Sequence, residues 1–125
     1  MVDAQGLPVR LLVTAGQAAD MTAVPALMAG LPAARVVADR GYDSNAVLAL
    51  IRARGGQAHI PSRCRRRVQR AVSPELYRQR NLVERFFCKM KQFRRVATRF
   101  DKLARNYLAA ALLAATRLWL RARAL

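Results

Sequence analysis

Hydrophobic spacing alternates between strand-like and helix-like along the chain, in a regular order. The first apolar run, PVRLLVT from Pro8 to Thr14, follows the turn-forming DAQG at Asp3 to Gly6 and predicts a strand. Met1 and Val2 read as the end of a preceding strand. TAVPALMAG then has the marks of a short helix, with Thr22 as its cap, Pro25 in the first turn and Gly30 as its stop. RVVAD, Arg35 to Asp39, is a second strand whose valine pair ends at a carboxylate and the Gly-containing turn RGYD. Asp43 and Ser44 can cap the helix NAVLALIRAR, which Gly55 and Gly56 terminate. QAHIP is a third short strand, closed by Pro61. This order of strand, helix, strand, helix, strand predicts an α/β fold: a parallel or mixed sheet covered by helices.

Helical spacing takes over in the second half. Ser73 is a good cap, Pro74 suits the first helical position and Glu75 favours the positive end of the helix dipole, so a helix is expected from there to about Val96. At about 100° per residue, Tyr77, Arg80, Glu84, Cys88, Lys91 and Arg95 share one stripe. Leu82, Val83, Phe86, Met90, Phe93 and Ala97 lie opposite and form the packing side. The stretch LARNYLAAALLAATRLWL is apolar nearly all the way round and reads as a buried core helix; between Arg105 and Arg117 it is too short to cross a bilayer.

Composition narrows the picture. The 125 residues, 54% of them hydrophobic, are enough for one compact domain with a single core. Against 23 Lys and Arg stand only 7 Asp and Glu, a formal charge of +16. A polyanion is the partner that such a surface rewards, and nucleic acid leads. The five arginines of SRCRRRVQR, Ser62 to Arg70, are either a solvated connector or a phosphate-contacting loop. Cys64 and Cys88 stand far apart without a C-x-x-C pair, and His59 is the sole histidine, which argues against a zinc site or a disulfide framework. Cys88 reads as a small packing residue and His59 as a strand residue. The N-terminus lacks the basic start and apolar run of a signal peptide, so a cytoplasmic location is expected.

Two carboxylates stand out against this basic background. Glu84 lies on the helix face away from the packing side, where an i, i+4 pair with Arg80 would contribute about 0.2 to 0.5 kcal/mol. Asp39 ends a strand, the place where ligands bind in open α/β sheets. If the two carboxylates meet at that edge, they suit a hard divalent cation such as Mg²⁺, which takes oxygen ligands from one or two carboxylates and from substrate phosphate.

The spacing Tyr77-x-x-Arg80-x-x-x-Glu84-x-x-x-x-x-x-Lys91 fits a Y-R-E-K signature at every position. With it, the chain resembles the C-terminal part of DDE transposases of bacterial insertion sequences, in the branch containing insertion sequence families four and five. VVADRGYDS looks like that branch's segment around the second catalytic aspartate, and RRVATRFDKLARNYLAA looks like the stretch after the glutamate. The resemblance covers nearly the whole chain.

The resemblance implies a ribonuclease-H-like mixed sheet with flanking helices, lacking its N-terminal strand or strands, so that residues 1–125 form part of a transposase catalytic domain. It implies three carboxylates that hold Mg²⁺ or Mn²⁺ for phosphodiester cleavage and strand transfer, with Asp39 as the second and Glu84 as the third. The family's first aspartate precedes the region matched by VDAQGLPVRLLVTAGQ, and Asp3 matches a turn instead. The chain alone is therefore expected to be inactive, its missing portion supplied by another reading frame, or lost in a decayed copy. DNA at transposon ends is the implied partner, contacted through Tyr77, Arg80, Lys91, Arg94, Arg95, Arg99 and Lys102, and an oligomer with transposase is expected. A regulator that binds DNA without cutting it would need the charge but neither Asp39 nor Glu84. A basic protein of an RNA assembly would leave the Y-R-E-K spacing to coincidence.

Overall fold

The structure is a computed structural model that describes residues 1–32 and 35–124. It is mixed α/β and divides into two compact units, Thr14–Arg80 and Met1–Val13 with Asn81–Leu125. Each has its own apolar cluster, in place of the single core expected from the length.

In the unit Thr14–Arg80, strands β1 (Arg35–Val37) and β2 (Gln57–His59) pair in parallel, Val36 opposite Ala58. Parallel strands need a crossover, and α2 (Asn45–Ala53) supplies it. The Ser44 hydroxyl caps α2 by accepting the Val47 N–H at 3.1 Å. Its C-terminus closes as a Schellman motif: the Gly55 N–H donates to Arg52 and the Gly56 N–H to Ile51, with Gly55 at φ +72°. Before β1, the 3-10 turn Asp20–Ala23 leads into α1 (Val24–Met28). Thr22 therefore does not cap α1; its hydroxyl donates to the Ala19 carbonyl within the turn. Pro25 sits in the first turn of α1 as expected. Val24, Met28, Val47, Ile51 and Ile60 form the core, with Val36, Tyr42 and Leu48 packed around them. Ile51 and Ile60 are almost fully buried, which stabilises the unit by about 1.5 to 3 kcal/mol for each side chain.

The other unit is helical. α4 (Asn81–Met90), α5 (Arg94–Ala97) and the 20-residue α6 (Ala104–Arg123) enclose Phe86, Met90, Val96, Ala111 and Ala114. The Asp3–Gly6 turn forms as expected, with Asp3 Oδ1 accepting the N–H groups of Gln5 and Leu7 and Gly6 at φ +78°. PVRLLVT does not become a strand. Apart from one antiparallel bridge, Val2 to Pro8, it finds no ladder partner among the described residues, and a strand exists only through its ladder. The segment is held instead by Val9 N–H to the Met1 carbonyl and by the indole N–H of Trp119 to the Pro8 carbonyl at 2.7 Å. Among the described residues the sheet thus has two strands, not three.

Two helix expectations also need correcting. The helix expected from Ser73 to Val96 is three: α3 (Pro74–Arg78), α4 and α5, separated by turns at Gln79–Arg80 and Lys91–Phe93. The second break shifts the packing face, burying Val96 and exposing Ala97. α6 is not a buried core helix. Its buried stripe is Ala111, Ala114 and Ala115, whose small side chains allow close approach, while Leu112, Leu113 and Leu120 are exposed.

Candidate functional site

Asp39 lies two residues beyond β1, as the cap of the 3-10 turn Arg40–Tyr42. Its Oδ1 accepts the Gly41 N–H at 2.8 Å, and the residue is exposed. This bond orients the carboxylate while leaving it open to solvent. Glycine is needed for the approach, because a Cβ at position 41 would stand 2.9 Å from Asp39 Oδ1. Tyr42 is half-buried behind the turn. Burial, then the charges of Asp20 and Asp39, push its hydroxyl above the ordinary 10, so it stays a neutral donor at physiological pH.

Asp43 was expected as a helix cap, and Ser44 takes that role alone. The Asp43 side chain is fully buried and serves as the anchor of the arginine-rich loop. It accepts the backbone N–H of Arg63 at 2.7 Å, Arg66 Nε at 2.8 Å and an Arg70 guanidinium N–H at 2.6 Å. Burial alone would raise its pKa, but these three donors outweigh burial and hold it at about 2. Arg66 also donates to Asn45 Oδ1, Arg70 to the Ile60 carbonyl and Arg63 to the Gly41 carbonyl. Arg63, Arg66 and Arg70 thus tie the loop to the turn that carries Asp39; Arg66 and Arg70 are half-buried, while Arg63, Arg65 and Arg67 are exposed. Sequence reading missed this clamp. The signal was charge balance: a run of five arginines needs a counter-charge, and Asp43 stands where capping disguised it.

Tyr77 and Arg80 lie next to each other, the Arg80 guanidinium 5.8 Å from the Tyr77 ring centre. Glu84 is exposed in the first turn of α4. The single stripe running from Tyr77 to Arg95 required an unbroken helix, so the interruptions at Gln79–Arg80 and Lys91–Phe93 remove the grounds for it. Cys88 is exposed on α4 and not a packing residue. Cys64 is also exposed, 3.6 Å from an Arg40 guanidinium nitrogen. His59 lies in β2, as expected of a strand residue.

The five basic residues after Glu84 that were expected to contact DNA fall into two groups. Lys91, Arg94, Arg99 and Lys102 are exposed. Arg95 instead makes a bidentate pair with Asp101, Nε to Oδ2 at 3.0 Å and an NH2 contact to Oδ1 at 2.8 Å. The pair holds Asp101 below the ordinary carboxylate range. Arg95 is therefore occupied within the protein, whereas the other four have charge to offer a polyanion.

Among the described residues, no group of three or more His, Cys, Asp and Glu is placed to hold a metal ion. The donor chemistry is nonetheless suitable: Asp39 and Glu84 are exposed oxygen donors, and Asp39 is held in orientation by a backbone N–H. Among the same residues, no helix is long and apolar enough to cross a membrane.

Comparison with known proteins adds two findings. The family described as Transposase DDE domain matches residues 1–119. A protein of Brucella ovis (strain ATCC 25840 / 63/290 / NCTC 10512), named "Putative transposase for insertion sequence element IS6501", is 33% identical over 123 residues, covering 97% of this chain and 95% of that protein. No solved structure matches the chain.

Proposed function

The chain belongs to the transposase DDE domain family, and from that membership we propose that it acts in DNA transposition as part of a catalytic domain with a ribonuclease-H-like fold, contributing Asp39 and Glu84 as metal-holding carboxylates. The observation that carries the site assignment is the Asp39 carboxylate, exposed just beyond a parallel strand and oriented by Gly41 in the segment VVADRGYDS. The Y-R-E-K spacing through Glu84 supports it independently.

In this reading Asp39 and Glu84 hold Mg²⁺ or Mn²⁺, which supplies Lewis acidity for activating the attacking oxygen and stabilising the leaving one. Gly41 fixes the Asp39 carboxylate through its N–H, and Asp43 with Arg66 and Arg70 keeps the turn beneath it in place. Lys91, Arg94, Arg99 and Lys102 engage DNA phosphates, giving affinity without reading sequence. Tyr77 and Arg80 are likewise assigned to DNA contact. In this reading the family's first aspartate is supplied by a further transposase portion, which completes the site.

The test is nicking of a labelled transposon-end duplex with Mg²⁺ or Mn²⁺, by the chain alone and with an aspartate-bearing N-terminal portion supplied. Cleavage is expected only with that portion, and it should vanish in Asp39→Asn and Glu84→Gln while duplex affinity changes little. Cleavage that survives both substitutions would overturn the assignment. DNA binding without cleavage in any reconstitution would favour a non-catalytic regulator.

A further inference from the structure

The turn between α5 and α6 displays an aromatic ring where solvation disfavours one. Phe100 is 74% exposed, yet the turn that carries it is held firmly. The Thr98 hydroxyl donates to the Arg94 carbonyl at 2.7 Å, and the bidentate Arg95–Asp101 pair spans the turn with the Asp101 side chain only 7% exposed. Arg99, immediately before the ring, adopts φ +48°, a left-handed conformation that a residue with a Cβ rarely takes. The Arg95 guanidinium lies 5.8 Å from the ring centre of Phe100 and backs it.

The surroundings of the ring identify what it suits. Arg94, Arg99 and Lys102 are exposed nearby, and Asp101 is neutralised by Arg95. An apolar protein surface gains nothing from three cations around its contact. A nucleic acid supplies both complements, phosphates for the cations and a flat π-face for the ring. A base inside a duplex has both faces covered by its neighbours, so only a base out of its stack can use the ring.

We propose that Phe100 is a stacking platform for an unpaired base of bound DNA, with Arg94, Arg99 and Lys102 holding the adjoining phosphates. This rests on the DNA-facing reading of the same surface and adds a contact to a base.

The experiment compares two duplexes, one fully paired and one carrying a single bulged 2-aminopurine, with the full chain and its Phe100→Ala, Phe100→Leu and Phe100→Trp variants. Fluorescence anisotropy gives the affinities, and quenching of 2-aminopurine reports stacking. The wild type should quench the bulged base. Phe100→Ala should weaken binding of the bulged duplex by about tenfold, abolish the quenching, and leave the paired duplex within about twofold. Phe100→Trp should retain both affinity and quenching, whereas Phe100→Leu, apolar but without a π-face, should not. Unchanged affinity and quenching in Phe100→Ala would overturn the platform while the paired-duplex binding preserves the DNA-facing surface. Rescue by Phe100→Leu would overturn stacking in favour of simple apolar contact. Failure of the wild type to bind either duplex would overturn the platform together with the DNA-facing reading.

Discussion

Replacing Asp43 by Asn removes one negative charge from a fully buried position that two guanidinium groups and a backbone N–H all address. The amide keeps the size and one acceptor oxygen, so the loss is electrostatic and not a cavity. A carboxylate held at about 2 instead of 3.8 contributes about 2 kcal/mol to stability above its ordinary pKa. The side chains of Arg66 and Arg70 keep 28% and 27% of their exposure, so they can rehydrate, which keeps the loss near that value and below the 3 to 5 kcal/mol typical of breaking a fully buried pair. A change of about 2 kcal/mol raises the open population roughly thirtyfold.

The sign with pH follows from the direction of the shift. A depressed carboxylate stabilises fully above its unfolded pKa, and the contribution is lost as pH falls from about 4 towards 2. Asp101 is also depressed, but it is present in both proteins and cancels in the comparison. The assay is amide hydrogen exchange of Val47 and Ile51 in α2, read along a urea series, because it reports on the unit that contains Asp43. Asp43→Asn should exchange faster at pH 7 and approach the wild type near pH 2. A difference below about 0.5 kcal/mol at pH 7, the scatter of ordinary surface substitutions, would refute the clamp. So would one that stays constant down to pH 2.

Gly41→Ala should leave thermal stability nearly unchanged, because the new Cβ meets only the movable end of the Asp39 side chain, yet reconstituted cleavage should fall at least tenfold as the carboxylate turns away. Melting curves and the nicking assay separate the two effects, and full activity would show that the Gly41 contact does not position Asp39. Arg95→Ala should raise the Asp101 pKa towards its ordinary value, measured by carboxyl NMR titration, because the hydrogen bond and charge of Arg95 depress it. The same substitution should flatten the salt dependence of DNA affinity less than Arg94→Ala or Arg99→Ala does, since Arg95 is already committed to Asp101.

Local signals carried the unit Thr14–Arg80 well. The cap at Ser44 and the Gly55–Gly56 stop are fixed by neighbours in sequence, and the valine pair of β1 and the short β2 find each other across the one crossover helix between them, so hydrophobic spacing exposes them. PVRLLVT has the composition of a strand but finds no ladder, and pairing is a property of what lies beside a segment, not of its residues. The breaks at Gln79–Arg80 and Lys91–Phe93 carry no Gly or Pro, so a periodicity argument runs straight through them. Asp39 and Glu84 drew notice because isolated carboxylates contrast with a basic chain. Asp43 and Asp101 were equally isolated, but their partners lie 20 to 27 and 6 residues away, distances that neither a cap nor an i, i+4 rule reaches.

Binding of Mn²⁺ tests the role of the two carboxylates most directly. It can be followed by electron paramagnetic resonance of the free ion as it is titrated into the chain reconstituted with an aspartate-bearing N-terminal portion and DNA. The expected result is saturable binding that weakens at least tenfold in Asp39→Asn and, separately, in Glu84→Gln, while Glu75→Gln, an acid outside the proposed site, leaves it unchanged. Equal Mn²⁺ affinity in the wild type and both site variants would contradict the assignment of Asp39 and Glu84 as metal ligands.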